Sequence, residues 1–336
     1  VANGMAQRPR VIHIAWGHNR PEASPMVAVH AQDNSQPIRA VLFAIAGMVT
    51  FSLQDTIIKW VSGTYPLHEA VLIRSCFGLL LTLLFAHLEG GLAILKTRRL
   101  GLHLLRGSFI VICNGTYFVA LATMPLAEAM ALFFVAPLFI TALSGPLLGE
   151  RVGWRRWLAV AIGMLGVLTM VRPSGAAVQY VAILPLISAL GYAGTQSMTR
   201  RLGVTDGAST MSFYIQLTLL TASAVMGLAV GDGRFAGGGQ ANMEFLLRAW
   251  IVPTPGDLAL FAASGFTVAI GGFAISQAYR LAAATTVAPF EYLALPFAVL
   301  WGYLIWGDFP DLFTFLGIAL IVVGGLTVIL RSRAVA

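Results

Sequence analysis

Charged residues are scarce in this chain of 336 residues. Only 10% of its residues are charged, whereas 58% are hydrophobic. Soluble domains are roughly half apolar and about a quarter charged, because a water-facing surface needs polar groups. The 21 basic and 14 acidic residues are too few to coat a chain of this length. The composition therefore argues against a soluble enzyme, a nucleic-acid binder or a disordered scaffold, and predicts a protein whose solvent is the lipid bilayer.

Cysteine and runs of basic residues are also scarce. The two cysteines, Cys76 and Cys113, have no CxxC or zinc-type spacing, so we predict no metal site and no cofactor. The net charge of +7 comes without any Lys/Arg run longer than two residues. We therefore interpret the basic excess as cytoplasmic loop charge, and not as a surface for nucleic acid.

Ten apolar segments follow a different N-terminal stretch. Residues 1–37 contain four prolines and no long apolar run, which predicts a mobile cytoplasmic tail; a later start at Met26 is the alternative. Only helices satisfy the backbone within lipid at this segment length. The predicted spans are 38–62, 66–88, 100–123, 125–148, 153–171, 178–198, 208–230, 257–279, 284–306 and 312–330. The longest connection, 231–256, contains either a short interfacial helix or a plain loop.

The distribution of basic residues predicts the orientation of these spans. With the N-terminus inside, the cytoplasmic segments carry fifteen Lys and Arg residues, and the outer segments carry only Arg172, Arg234 and Arg248. Such a bias fits an even number of spans with both termini in the cytoplasm. We therefore predict a multi-pass protein of the inner membrane.

An internal repeat divides the chain into halves, 38–173 and 174–332. Three pairs of small residues are separated by 158 positions: Gly149 and Gly307, Ala159 and Gly317, Gly166 and Gly324. Each half contains five spans, and five is odd, so the second half must enter the membrane from the opposite side. Inverted repeats of this kind are common in secondary transporters, whose substrate site lies between the halves.

The residues around these glycines resemble a known family. The stretches Pro125–Ala129, Leu148–Arg151 and Gly163–Val167 are similar to the end of an EamA domain, and Leu281–Ala284, Trp306–Asp308 and Gly317–Gly324 to a second one. Tandem EamA domains belong to the drug/metabolite transporter superfamily. The resemblance implies an all-α fold of ten helices, with a central cavity built by spans 1–4 and 6–9 and with spans 5 and 10 at the flank. Asp308 departs from the Glu that is more usual in its turn.

Three ionisable residues fall at similar depth in the outer half of the first two spans. Asp55 and Lys59 are four residues apart and share a helix face, and Arg74 lies at a matching height on the next span. Ionisable groups within a membrane usually face a cavity or a partner. We predict a network that binds an anionic or zwitterionic group; the alternative is that these residues only hold the two helices together.

Further ionisable residues lie within later spans. Glu291, beside Tyr292 in the ninth span, has no capping role, so we predict a substrate contact or a carboxylate that carries a proton. Glu128 begins the fourth span, where an acid suits the positive end of the helix dipole. Arg106 is close enough to the inner surface for its side chain to reach the headgroups.

Aromatic and amide side chains supply the remaining candidate lining. Asn114 and Tyr117 are three residues apart on one face, and Tyr192 and Gln196 are four apart on another. Stacking rings with amide hydrogen bonds suit a flat heteroaromatic substrate, although each residue could serve in packing alone. Further candidates are Gln54, Tyr214, Gln216, Gln277 and Trp301.

These observations predict a secondary transporter of a small organic metabolite that works by alternating access. Members that look similar handle riboflavin, S-adenosylmethionine, amino acids or drugs, and the lining favours riboflavin-like uptake. Export of amino acids or toxic metabolites is the second hypothesis, and a lipid-handling protein is the third. Protons or substrate exchange would provide coupling, and a homodimer is one possible assembly. No catalytic residues are predicted, because no histidine lies in the middle of a span.

Overall fold

A computed structural model describes residues 37–148, 153–171, 180–202, 206–237, 241–281 and 290–331, together with Gly239 and Val287. Residues 1–36 of the predicted tail, the Gly149–Arg151 motif, Ala284 and Arg172 lie outside the described residues. The described residues form helices and their connections, with no strand among them. The α-helices are α1 (Pro37–Val61), α2 (Leu67–Gly90), α3 (Leu100–Leu121), α4 (Leu126–Phe133), α5 (Ala136–Leu148), α6 (Trp154–Val171), α7 (Ile183–Leu202), α8 (Ala208–Val230), α9 (Ala241–Leu247), α10 (Pro255–Leu281), α11 (Ala294–Trp306) and α12 (Leu312–Arg331).

The helices confirm an all-α membrane protein. Within the described part of the chain, five helices are long and apolar enough to cross a bilayer, namely α1, α2, α3, α8 and α10. Shorter apolar helices occupy the predicted fourth, fifth, ninth and tenth spans. The predicted sixth span corresponds to α7, which begins at Ile183 and continues to Leu202 beyond the predicted end.

The fourth span is broken, which the prediction of one continuous helix missed. Helix α4 ends at Phe133 and α5 begins at Ala136, so that Pro137 occupies the first turn of the new helix. Proline is tolerated there because the first turn leaves its N–H groups unpaired in any case. The Val135 N–H instead donates to the Leu132 carbonyl at 3.3 Å, a tight turn in place of the regular helical bond.

The ninth span has the same feature. Residues 290–291 are helical, a turn follows at 292–293, and α11 begins at Ala294, two residues before Pro296. The Leu293 N–H donates to the Phe290 carbonyl at 3.1 Å across this turn. The described residues therefore contain two spans that are interrupted at comparable positions, each just ahead of a proline.

The contacts between helices form a pattern that is reproduced when each span is replaced by the span five positions away in the order of ten. Helices α1 and α3 of the first half pack on α10 and α7 of the second half, which are the eighth and sixth spans. Helix α2 packs on α8, α4 on α11, and α6 on α12, so each of these pairs joins equivalent spans. Of the weaker contacts, α5–α7 joins the fourth and sixth spans, and the same replacement converts it into α1–α11, which joins the ninth and first spans.

Small residues allow α6 and α12 to cross with their backbones in contact. A methyl group on Gly166 would lie 2.8 Å from the Gly317 carbonyl oxygen, and one on Gly324 would lie 2.8 Å from the Ala159 carbonyl oxygen. The small residues that mark the internal repeat therefore lie where the two backbones pack closely. Apart from each other, α6 and α12 contact mainly α4 and α5, which agrees with a position at the flank.

At each end of α2, side-chain hydrogen bonds join segments that lie between or at the ends of helices. Before α2, the Tyr65 hydroxyl donates to Asp257 Oδ2 at 2.8 Å. After α2, the Thr97 hydroxyl donates to Asp206 Oδ2 at 2.7 Å, and His103 Nε2 lies 2.7 Å from the same oxygen. Tyr65 lies two residues before α2, the second span of the first half, and Asp206 lies two residues before α8, the second span of the second half.

The long connection 231–256 contains a short helix, α9, rather than a plain loop. Its Phe245 is fully buried, and α9 packs on α2 and α3. The helix is therefore held against the protein, and not only at a lipid interface.

We expect the α6–α12 crossing to tolerate no added methyl group. Gly166→Ala should lower the free energy of unfolding by about 1–3 kcal/mol, because the new Cβ meets a backbone oxygen that cannot rotate away. Gly115→Ala in α3 is the matched control, since a Cβ there meets nothing within 4 Å and alanine favours the helix. Thermal unfolding in detergent measures both; equal losses would contradict the crossing.

Candidate functional site

A buried polar cluster joins the first three helices. Tyr117 on α3 donates its hydroxyl to Asp55 Oδ2 on α1 at 3.1 Å. Gln54 donates its amide Nε2 to Asp55 Oδ1 at 3.1 Å and accepts from Arg74 Nη1 on α2 at 3.1 Å. Asp55 and Arg74 are therefore connected through the amide of Gln54 and form no direct ion pair. The four side chains form one hydrogen-bonded chain across α1, α2 and α3.

This cluster is almost completely removed from the surface. Arg74 has no exposed area, and Gln54, Asp55 and Tyr117 are each exposed by 7% or less. The Arg74 guanidinium carbon lies 4.9 Å from the ring centre of Phe118, which follows Tyr117 on α3. A cation against an aromatic face is attracted by the ring quadrupole. The opposite charges of Asp55 and Arg74 also lessen the cost of burying both.

Lys59 lies apart from this cluster, so the predicted network of Asp55, Lys59 and Arg74 is wrong in this respect. The Lys59 ammonium donates to the Leu121 carbonyl at 3.3 Å and to the Met124 carbonyl. It also lies 5.2 Å from the ring centre of Trp306. These carbonyls end α3 and begin the next connection, so the lysine satisfies a helix end. The four-residue spacing puts the two side chains on one face but does not make them meet.

Aromatic rings extend from the polar cluster to the breaks in the fourth and ninth spans. The Tyr117 ring lies 5.2 Å from Phe133, and Phe133 lies 5.3 Å from Tyr192 on α7. Phe134 lies 5.1 Å from Tyr292. Phe133 and Phe134 sit where α4 ends, and Tyr292 sits in the turn before α11. The two helix breaks therefore meet through aromatic contacts.

Three more of the predicted lining residues lie near these rings, whereas Tyr214 donates to the Leu95 carbonyl at 3.1 Å, away from them. Gln196 donates its amide to the Tyr192 hydroxyl at 2.6 Å, which confirms that the two side chains share a face. Glu291 is partly buried and lies within electrostatic range of Tyr192 and Tyr292. Asn114 is also partly buried, one turn before Tyr117 on α3. Both halves of the chain thus contribute polar groups near the rings.

Arg106 does not reach the headgroups, contrary to the prediction. Its side chain is buried, with Nε donating to Thr199 at 2.8 Å and Nη1 donating to the Met211 carbonyl at 2.9 Å. The arginine thereby joins α3 to α7 and α8. Burial is tolerated because these two acceptors replace the hydrogen bonds that water would supply.

Phe118, Phe133 and Phe134 are residues of the site that the sequence did not reveal. Phenylalanine is common throughout this chain, which contains 20 of them, so composition did not distinguish these three. A proline three to four residues after a Phe-Phe pair was the available signal, because a helix often restarts at proline. The described residues hold no cluster of metal-ligating side chains. The chemistry that these residues offer is aromatic surface next to hydrogen-bond donors and acceptors.

Comparison with known proteins identifies the class. The sequence profile of the EamA-like transporter family matches residues 38–172. A riboflavin transporter of Rhizobium johnstonii is 30% identical over 87% of this chain and 92% of its own length. A pseudopaline exporter of Pseudomonas aeruginosa is 30% identical over 84% of this chain and 93% of its own length. The chain belongs to the EamA-like transporters of the drug/metabolite transporter superfamily.

A solved structure shares the fold. A chain in one crystal structure is 18% identical in sequence to this protein. The match covers 88% of this chain and 98% of the other chain, with a TM-score of 0.59. The family profile matches the first half alone, so the EamA likeness of the second half stays a prediction. Membership of the superfamily, predicted from motifs in both halves, is confirmed.

We expect loss of the Tyr117 hydroxyl to weaken the site more than the fold. Tyr117→Phe keeps the ring against Phe133 but removes the donor to Asp55 Oδ2, at a cost of about 1–3 kcal/mol for a buried charged acceptor. Substrate uptake should fall at least tenfold at unchanged membrane level. Tyr303→Phe, on the exposed side of α11, is the matched control and should transport normally. Normal uptake by Tyr117→Phe would remove this contact from the site.

Proposed function

We propose that this protein is an inner-membrane secondary transporter that takes up a flat heteroaromatic metabolite of the riboflavin type. One observation carries the proposal: a buried chain of hydrogen-bonding side chains adjoins a chain of aromatic rings. The rings of Tyr117, Phe133 and Tyr192 contact one another in sequence, with centroids 5.2 and 5.3 Å apart, and form one aromatic surface. Gln54, Asp55 and Arg74 supply donors and acceptors beside them. A small polar heterocycle needs both surfaces at once.

The relatives support a small organic substrate and do not select a direction of transport. The riboflavin transporter and the pseudopaline exporter are each 30% identical to this chain. A riboflavin-like substrate is favoured because the aromatic rings suit a fused heterocycle, and uptake is the direction that we propose for it. Export of an amino-acid-like or toxic metabolite is the second candidate, and the exporter among the relatives is the observation that favours it.

We infer that the two five-helix halves, 38–173 and 174–332, form an inverted pair that moves by alternating access. The exchange of helix contacts on advancing by five spans supports this inference. The contact of Tyr65 with Asp257 and the contact of His103 with Asp206 are both formed, at opposite ends of α2. Each would close one side of the site. Opening alternately, they would expose the site to one side of the membrane at a time.

The proposed orientation places both termini in the cytoplasm. The predicted inner connections carry the large majority of the basic residues, whereas Arg234 and Arg248 lie in the connection assigned to the outside. The contact between His103 and Asp206 then lies on the cytoplasmic side. The contact between Tyr65 and Asp257 lies on the outer side.

Uptake by a riboflavin auxotroph tests the proposed substrate. A strain that expresses this chain should grow on low riboflavin and accumulate the labelled vitamin, whereas vector alone should not. Excess unlabelled riboflavin should compete, and excess amino acids should not. Accumulation of labelled amino acids, or faster loss of either label from preloaded cells, would favour the exporter instead.

We expect Glu291 to carry the coupling proton. Glu291→Gln is permanently neutral, so it should abolish the stimulation of uptake by an inward proton gradient while counterflow exchange continues. Glu244→Gln in α9 is the control, because this acid caps the connection at Gly237, away from the site. Uptake that keeps its dependence on pH in Glu291→Gln would exclude this role and favour coupling by substrate exchange.

A further inference from the structure

Arg74 uses only one edge of its guanidinium group. Nη1 donates to Gln54 Oε1 at 3.1 Å, whereas Nε and Nη2 have no hydrogen-bond acceptor among the described residues. The side chain is also one of the largest in the described part of the chain to be fully buried. The guanidinium carbon lies 4.9 Å from the ring centre of Phe118, and an aromatic ring attracts the cation without supplying a hydrogen-bond acceptor of the oxygen or nitrogen type.

Such an arrangement is costly in a structure that only needs to be stable. A buried polar group without a partner costs about 1–3 kcal/mol, and more for a charged group. Arg106 shows that this chain can satisfy a buried arginine, since its Nε and Nη1 bond to Thr199 and to the Met211 carbonyl. The two arginines therefore differ in kind: Arg106 is satisfied by its own chain, and Arg74 is not.

The unpartnered edge has a definite shape. In a planar guanidinium, the Nε–H and one Nη2–H point in the same direction and are parallel, which matches two acceptor atoms placed side by side. Gln54 holds the other end of the group, so the free edge is fixed in direction. Close contact of Gly265 with the Arg74 carbonyl oxygen also fixes the backbone of α2 at this point.

We propose that the Nε–H and Nη2–H edge of Arg74 binds the substrate by pairing with two adjacent acceptor atoms. This inference rests on the proposed transport function and deepens it by naming the recognised chemical group. Two kinds of metabolite carry that group: a carboxylate, and a heteroaromatic ring with a carbonyl oxygen beside a ring nitrogen. Arginine reads the second pattern on guanine through O6 and N7. The flavin ring presents it at O4 and N5.

The surrounding charges favour the heteroaromatic form. Asp55 lies beside Arg74 through the Gln54 amide and already accepts from Gln54 and Tyr117. A neutral two-acceptor edge adds no second negative charge to this cluster, whereas a carboxylate places two anions around one cation. The aromatic rings that begin at Phe118 and Tyr117 continue the binding surface in the direction of Phe133.

Stability without any ligand is the first test. In an Asp55→Asn background, which leaves no buried anion without its counter-charge, Arg74→Met replaces a partly unsatisfied buried cation by an apolar side chain of similar length, so the Tm in detergent should equal or exceed that of Asp55→Asn alone. Arg106→Met breaks two hydrogen bonds and should lower the Tm. A loss for Arg74→Met in this background as large as that for Arg106→Met would show that Arg74 is satisfied within the fold, and would overturn the proposal.

Ligand binding is the second test, with riboflavin, 5-deazariboflavin and L-methionine as probes. Riboflavin should raise the Tm of the unchanged protein and bind at least tenfold more tightly than 5-deazariboflavin, which lacks the N5 acceptor. One hydrogen bond to a charged donor, about 1.5–3 kcal/mol, corresponds to about 10- to 100-fold. Neither Arg74→Met nor Arg74→Lys should bind, because lysine keeps the charge but lacks the parallel pair.

The probes separate this proposal from the proposed substrate. If L-methionine stabilises the unchanged protein and riboflavin does not, and Arg74→Lys removes the effect, the role of Arg74 stands and the heteroaromatic substrate is wrong. If riboflavin binds equally to the unchanged protein and to Arg74→Lys, the substrate stands and the role of Arg74 is overturned. Equal affinity for riboflavin and 5-deazariboflavin excludes the O4 and N5 edge, and failure of both probe classes to bind counts against the proposal.

Discussion

Lipid offers no hydrogen bonds, and this constraint governs the whole structure. Every polar group within the helices must find its partner in the chain or in a bound molecule. Ser and Thr side chains meet this demand within their own helix, as Thr56 does with the Ser52 carbonyl, whereas Lys59 meets it at the end of α3. Arg106 meets it across three helices. The cluster of Asp55, Gln54 and Arg74 meets it only in part, and the proposed substrate contact of Arg74 rests on that shortfall.

The same constraint explains why irregular backbone occurs where it does. A helix break exposes N–H and C=O groups, which are tolerated in a membrane only inside the protein or beside a cavity. Both breaks place aromatic side chains on each other, with Phe134 against Tyr292. The candidate site thus lies where two interrupted spans meet.

The sequence predicted the membrane class from its composition, and the family from the resemblance of its motifs to EamA domains. It also predicted that Tyr192 and Gln196 share a face, which helical spacing determines. It failed where rotation of a helix decides which neighbour a side chain meets. Asp55 and Lys59 share a face, yet one turns to Tyr117 and the other to the Met124 carbonyl. Arg106 is a similar case, since its partners lie on α7 and α8, more than ninety residues further along the chain.

The α6–α12 crossing has a mechanical consequence. Where Gly166 meets the Gly317 carbonyl, the two helices touch through main-chain atoms, and the Ile321 and Met170 side chains lie beside them. A crossing this close resists sliding of one helix along the other more than it resists a change of tilt. In the proposed alternating-access movement, a small tilt at this crossing would become a larger displacement at the helix ends, because displacement grows with distance from the point of contact.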